Sequence, residues 1–175
     1  METTPGRGPS ATGIEYQIIP VRTVQDVKDA TALFYQYAEW LNLDLGFQDF
    51  DTEMANMPGK YAPPCGELLL ASTAQGGTVG CVAVRHLAEG ICEMKRLFVT
   101  DAAKGLGIGK ALVSAVMEAG RKLGYQDMRL DTLPHMVAAI NMYKSFGFVE
   151  ILPYYSTPLP GTVFLNLDLT RLPQT

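Results

Sequence analysis

Gly105, Gly107 and Gly109 alternate with Leu106 and Ile108, and Lys104 and Lys110 flank the run. The run follows an apolar strand pattern ending at Val99 and leads directly into an amphipathic helix pattern. Glycine lets a backbone approach a ligand closely, because no Cβ intervenes. The first-turn N–H groups of a helix lack acceptors inside the helix, and the macrodipole adds positive charge there. This spacing predicts a seat for a pyrophosphate at the start of a helix. Upstream, the strand Ile91-Cys-Glu-Met-Lys-Arg-Leu-Phe-Val99 carries one carboxylate, Glu93, among mostly apolar residues. Desolvation would raise its pKa toward working pH, which suits a general base. An ion pair with Lys95, or with Arg85 on the neighbouring strand, is the competing use of that carboxylate. By the strand period of two, Glu93 and Leu97 share a face, while Lys95 and Arg96 face opposite sides.

Three glycine-rich patterns compete for residues 104–110. A P-loop needs a hydroxyl after Gly-Lys to hold magnesium, and position 111 is Ala. A dinucleotide fingerprint needs GxGxxG on an early strand with an acid about 20 residues on. Asp127 and Asp131 lie at that distance, but the run reads GxGxG and its strand is late in the chain. The remaining pattern is (Gln/Arg)-x-x-Gly-x-(Gly/Ala), the coenzyme A pyrophosphate loop of the GNAT N-acetyltransferase superfamily, which this chain resembles. Lys104 stands where that family usually has Gln or Arg. Lys keeps the charge and lacks the guanidinium fork. A second segment, Ala139-Ile-Asn-Met-Tyr143-Lys-Ser-Phe-Gly147-Phe148, resembles the family's A-x-x-x-Y-x-x-x-G-F. Met136 occupies the position where the family usually has Asn. The resemblance spans roughly residues 66 to 169.

The resemblance implies an acetyl-CoA-dependent N-acetyltransferase that works by direct transfer in a ternary complex and needs no metal. Lys104, Gly105, Leu106, Gly107, Ile108, Gly109 and Lys110 would hold the coenzyme. Backbone N–H groups at Leu97, Phe98 and Val99 would position the thioester, with Leu97 facing the acetyl carbonyl. Glu93 matches the base position of some members, and where water serves as base it would instead grip the substrate ammonium. Tyr143 matches a tyrosine near the coenzyme sulfur, where a phenol can protonate the leaving group. Lys95 or Arg96 would hold an acceptor carboxylate, the competing role being a structural ion pair. Tyr35, Tyr37, Trp40, Phe47 and Tyr61 lie where members build the acceptor wall, and Tyr37 and Tyr61 are the expected lining residues. Pro153-Tyr154-Tyr155 follows a strand near the acceptor side, and Tyr154 would add a hydroxyl. The expected acceptor is a small amine or amino acid. A protein or peptide amine, or a non-catalytic acyl-CoA sensor, is the alternative. A homodimer is compatible with the family.

These residues must be held by one domain. The chain has 175 residues, 47% apolar and 18% charged, which suits a globular fold with a sizeable core. A net charge of −4 provides no basic field for nucleic acid. No apolar run is long enough to span a membrane. The Gly/Pro/Ser/Thr-rich start lacks a signal-peptide core, so residues 1–13 read as a disordered tail and 14–175 as the catalytic domain of a cytoplasmic protein. Cys65, Cys81 and Cys92 have no metal spacing and read as reduced, mostly buried thiols. His86 and His135 read as ordinary polar residues. Periodicity predicts a strand over 14–21, helices from Asp26 to about Leu45 and over 47–57, and a three-strand meander over 67–99. Helix 107–123, strand 128–133, helix 137–146 and strands 147–153 and 162–169 follow. The order predicts an α+β fold, a mostly antiparallel mixed sheet with helices on both faces. In the GNAT fold, the strands carrying Val99 and Leu130 splay apart to admit the pantetheine arm.

Overall fold

A computed structural model describes residues 7–8 and 14–171. The remainder of the expected 1–13 tail lies outside the described residues. Strands β1 (Arg7–Gly8), β2 (Tyr16–Pro20), β3 (Glu67–Thr73), β4 (Thr78–Ala88), β5 (Ile91–Val99), β6 (Asp127–Thr132), β7 (Val149–Ile151) and β8 (Val163–Asp168) form one sheet in the order β1-β2-β3-β4-β5-β6-β8-β7. Every pairing is antiparallel except β5 with β6. Helices α1 (Val24–Leu41) and α2 (Phe50–Ala55) precede the meander, and α3 (Ile108–Lys122) and α4 (Val137–Ser145) follow it.

The central strands bury both faces, which is why they read as nearly continuous apolar runs. Leu69, Ala71, Val82 and Val84 pack under α3, with Leu112, Val113 and Val116. Their neighbours Leu68, Leu70, Cys81 and Ala83 pack on the other face against Leu33 and Phe34 of α1. Each fully buried aliphatic side chain contributes roughly 1.5–3 kcal/mol from removal of apolar area. Helix α3 lies close to the sheet at Gly120, where an added Cβ would come within 2.9 Å of Met128 Cε and 3.2 Å of Cys92 Sγ.

Local signals set the helix ends. Thr23 caps α1, its hydroxyl accepting from Asp26 N–H while the Asp26 carboxylate accepts from Thr23 N–H, a reciprocal capping box. Helix α1 stops at Leu41, short of the expected Leu45, because Asn42 turns left-handed at φ 51. The expected helix over 47–57 is divided. Asp49, at φ 57, separates a short 3-10 turn (Gly46–Gln48) from α2. Cys81 and Cys92 are buried, and Cys65 is exposed.

Candidate active site

β5 and β6 run in register only from Ile91 opposite Asp127 to Glu93 opposite Arg129. Beyond that they part, as the resemblance implied, and the gap is a cavity of about 130 Å³. Met94, Lys95, Arg96 and Leu97 line one side, and Leu130, Asp131, Thr132 and Leu133 the other. Met136, Ala139 and Tyr143 come from the α4 side. Tyr37, Trp40 and Leu41 of α1 and Gln48 of the following turn complete the wall.

A bulge in β5 shapes this gap. Cys81 pairs with Phe98 and Ala83 with Lys95, so Arg96 and Leu97 together oppose Val82. Arg96 sits at φ 61, a left-handed conformation that costs a non-glycine residue about 1–2 kcal/mol. The extra residue inverts the alternation of the strand. Cys92 and Met94 point into the α3 core, and beyond the bulge so do Leu97 and Val99. Glu93 and Leu97 therefore do not share a face, contrary to the simple period. Nor do Lys95 and Arg96 face opposite sides, since both donate to Gln48 Oε1, at 3.3 and 2.8 Å. The Arg96 guanidinium is pinned by Glu53 Oε2, at 3.2 Å from Nε and 2.7 Å from Nη2. It lies over the rings of Phe50 and Tyr37, 5.3 and 5.9 Å from their centroids.

Glu93 is only 2% exposed and is not part of the cavity wall. Arg85 holds its Oε1 through Nε and Nη2, both at 2.9 Å, and Tyr154 donates to Oε2 at 2.6 Å. Lys95 Nζ stands between Glu93 Oε1 at 3.9 Å and Asp131 Oδ1 at 3.8 Å. Asp131 does reach the wall, and Tyr155 donates to its Oδ2 at 3.0 Å. The rings of Tyr154 and Tyr155 both pack edge-on against Phe164, at 5.1 and 5.3 Å. Two consecutive tyrosines thus each hold one of the two carboxylates that flank Lys95. Sequence reasoning used Asp131 only to test a dinucleotide pattern. The signal it offered was a carboxylate at the end of the alternating strand Asp127-Met-Arg-Leu-Asp131.

Tyr143 is buried and faces the cavity, and its hydroxyl has no hydrogen-bond partner among the described residues. Burial holds its pKa well above the usual tyrosine value, so it remains a proton-bearing phenol. Tyr37 also lines the cavity, its pKa pushed up to about 12 by burial. The expected lining residue Tyr61 lies elsewhere. It is 1% exposed, donates to Glu53 and packs edge-on against Phe34 in the α1 core. Tyr154 sits behind the wall at Glu93. Phe98 points into the α1 core beside Tyr37.

The glycine-rich turn leaves the end of β5 and starts α3. Gly105 and Gly107 both adopt φ 78, and a Cβ added at either would meet nothing within 4 Å. The first amide of this stretch with an internal acceptor is Ala111, bonded to Gly107 O at 3.1 Å. Among the described residues, the N–H groups of Gly105 to Lys110 have no protein acceptor. Open space, unpaired donors and the α3 dipole fit a pyrophosphate. Lys104 Nζ binds Asp101 Oδ1 at 2.5 Å. No group of three or more potential metal ligands occurs among the described residues, and no helix there is long and apolar enough to cross a membrane.

Residues 32–148 match the family model described as Acetyltransferase (GNAT) family. The chain belongs to this family. An uncharacterized N-acetyltransferase of Schizosaccharomyces pombe is 41% identical to this GNAT chain over 155 residues, covering 88% of the chain and 95% of the relative. The N-acetylaspartate synthetase of Rattus norvegicus is 33% identical over 131 residues, covering 74% of the chain and 44% of that protein. A GNAT-family acetyltransferase of Staphylococcus aureus has the same fold, with a TM-score of 0.72, 21% identity, and coverage of 88% of this chain and 99% of that one. The GNAT fold accounts for the parted strands and for the glycine turn at their end, and the chain is an N-acetyltransferase of GNAT type.

Proposed function

We propose that the chain transfers an acetyl group from acetyl-CoA to the primary amine of a small molecule, with an amino acid as the preferred acceptor. The observation that carries this reading is the unpartnered Tyr143 hydroxyl facing the cavity, together with the free loop amides of the turn that follows β5. Bound at Lys104 to Lys110, acetyl-CoA would supply the thioester acetyl and a sulfur leaving group. Leu97 N–H, on the wall beside the bulge, would polarise the acetyl carbonyl. An ammonium acceptor gives up two protons on becoming an amide. Asp131 takes the first, freeing the nitrogen lone pair to attack the carbonyl carbon. As the C–S bond breaks, Tyr143 donates its phenolic proton to sulfur and regains one from the nitrogen or from solvent. Glu93 serves from behind the wall by holding Lys95 and Tyr154 in place.

The acceptor class is supported by charge. Lys95 and Arg96 are the cations of the wall, and Lys95 stands beside Asp131. A carboxylate near Lys95 and an ammonium near Asp131 describe a zwitterionic amino acid. The similarity to a protein named N-acetylaspartate synthetase points the same way. The test is thioester consumption against amino acids, polyamines, arylalkylamines and peptides, with mass detection of products. An amino acid heavier by one acetyl group is expected. For Asp131→Asn, kcat should fall by about 10²-fold or more. Turnover of peptides alone, or full activity in Asp131→Asn, would refute the acceptor class or the base, respectively.

A further inference from the structure

Trp40, the single tryptophan of the chain, stands where the two halves of the site meet. Its ring forms part of the cavity wall while remaining 48% exposed. Phe98 backs it at 6.1 Å between centroids. Lys104 Nζ lies 5.0 Å from the Trp40 ring centroid. Such a cation is attracted to the indole face. Trp40 is the penultimate residue of α1, whose last turn carries no basic side chain. Lys104 thus brings positive charge to a helix end that favours it. Yet Lys104 also opens the glycine-rich turn, next to the unpaired amides. Two sets of groups compete for one ammonium. Asp101 and the indole hold it now. Phosphate oxygens arriving at Gly105 to Lys110 would form stronger charge-assisted hydrogen bonds with it.

We infer that Lys104 couples donor binding to the acceptor cavity by way of Trp40. This rests on the acetyl-CoA reading. Phosphate oxygens draw the ammonium off the ring, and Trp40, freed from that contact, takes a second setting on the wall. The acceptor cavity then has one shape before the donor binds and another after. Trp40 is a positioning residue, since it acts on the acceptor's place and not on the reacting atoms. A ligand shifts such an equilibrium only through contacts that differ between the settings, and the Lys104–Trp40 contact is that difference. Loss of one exposed cation–π contact corresponds to a coupling of about two- to fivefold between the sites.

The experiment titrates the full chain with coenzyme A by calorimetry and follows Trp40 emission and its quenching by acrylamide in parallel. Pantetheine, which lacks the phosphates, is the comparison ligand. Coenzyme A is expected to change both emission and quenching, and pantetheine neither. Lys104→Met should show altered emission without ligand and no further change when coenzyme A binds. Lys104→Arg, which keeps the cation, should restore the change. Coenzyme A heat with unchanged Trp40 emission overturns the coupling and leaves the acetyltransferase reading intact. A full wild-type response in Lys104→Met, or with pantetheine, overturns the Lys104 route. No coenzyme A heat overturns the acetyl-CoA reading and the coupling with it.

Discussion

Replacing Tyr143 by Phe separates chemistry from packing. The ring is buried and meets Phe148 edge-on at 5.8 Å, and Phe keeps both the volume and that contact. The hydroxyl has no protein partner among the described residues, so its removal leaves no donor or acceptor orphaned. Stability should therefore change by no more than about 0.5 kcal/mol. If the phenol protonates the leaving sulfur, its loss removes a factor of about 10²–10⁴ from kcat. That corresponds to about 3–5 kcal/mol of barrier. The KM for acetyl-CoA should be unchanged, because the hydroxyl lies away from the glycine-rich turn. Burial raises the Tyr143 pKa, so the phenol stays loaded with its proton at and below the ordinary tyrosine value of 10.0. The wild-type rate should accordingly show no loss from this group across neutral pH. The assay follows thioester absorbance, which avoids the background that the exposed Cys65 would give a thiol reagent. A kcat within about threefold of wild type would refute the role. So would a large fall in kcat accompanied by an equal loss of unfolding free energy, which would assign the effect to packing.

Arg96→Met should destabilise by up to about 3–5 kcal/mol, because it removes the guanidinium from the buried Glu53 carboxylate and leaves only the Tyr61 hydroxyl and Lys60 at 3.8 Å. The double variant Glu53→Gln, Arg96→Met should recover part of that loss in urea unfolding, and a single variant as stable as wild type would refute the pairing. Asp26 accepts from the N–H groups of Arg22 and Thr23, and these bonds hold its pKa below the ordinary 3.8. Its stabilisation is therefore complete above the ordinary carboxylate value and disappears as pH falls through the depressed one. Asp26→Ala should lose on the order of 0.5 kcal/mol at neutral pH, after allowance for solvent screening, and nothing at strongly acidic pH. A urea midpoint lowered equally at both pH values would refute that linkage.

Much of the framework was legible in the residues. Strands 67–73 and 91–99 and the helix after the glycine-rich run stand where their periodicity puts them, because buried alternation and glycine punctuation are local signals. The bulge at Arg96 is not local. It arises where a long cation must turn toward Glu53 and Gln48, residues distant in sequence, and nothing in Lys95-Arg-Leu97 announces the left-handed turn. That one insertion reverses the faces of Arg96 and Leu97 relative to Glu93 and Lys95, while Glu93 lies behind the wall because β5 still pairs with β6 at that position. Asp131 was missed for the complementary reason. Its place on the wall comes from the parting of β5 and β6 and from Tyr155, neither of which spacing along the chain reveals. Tyr61 has the residue type of a wall aromatic, but a carboxylate eight positions earlier, Glu53, takes its hydroxyl. Asn42 and Asp49 ended their helices early because both adopt left-handed turns that asparagine and aspartate tolerate but do not require.

The sheet sends alternate side chains into two separate cores, and the site draws on both. The turn proposed to receive phosphate rests on the α3 core through Leu106 and Ile108, while Tyr37 on the wall packs against the α1 core. Substitutions on opposite faces share few neighbours, so their effects should add. Residue changes on the α1 face can therefore reshape the Tyr37 side of the wall with little effect on the packing beneath the glycine-rich turn, the Lys104–Trp40 contact being the direct link between the two.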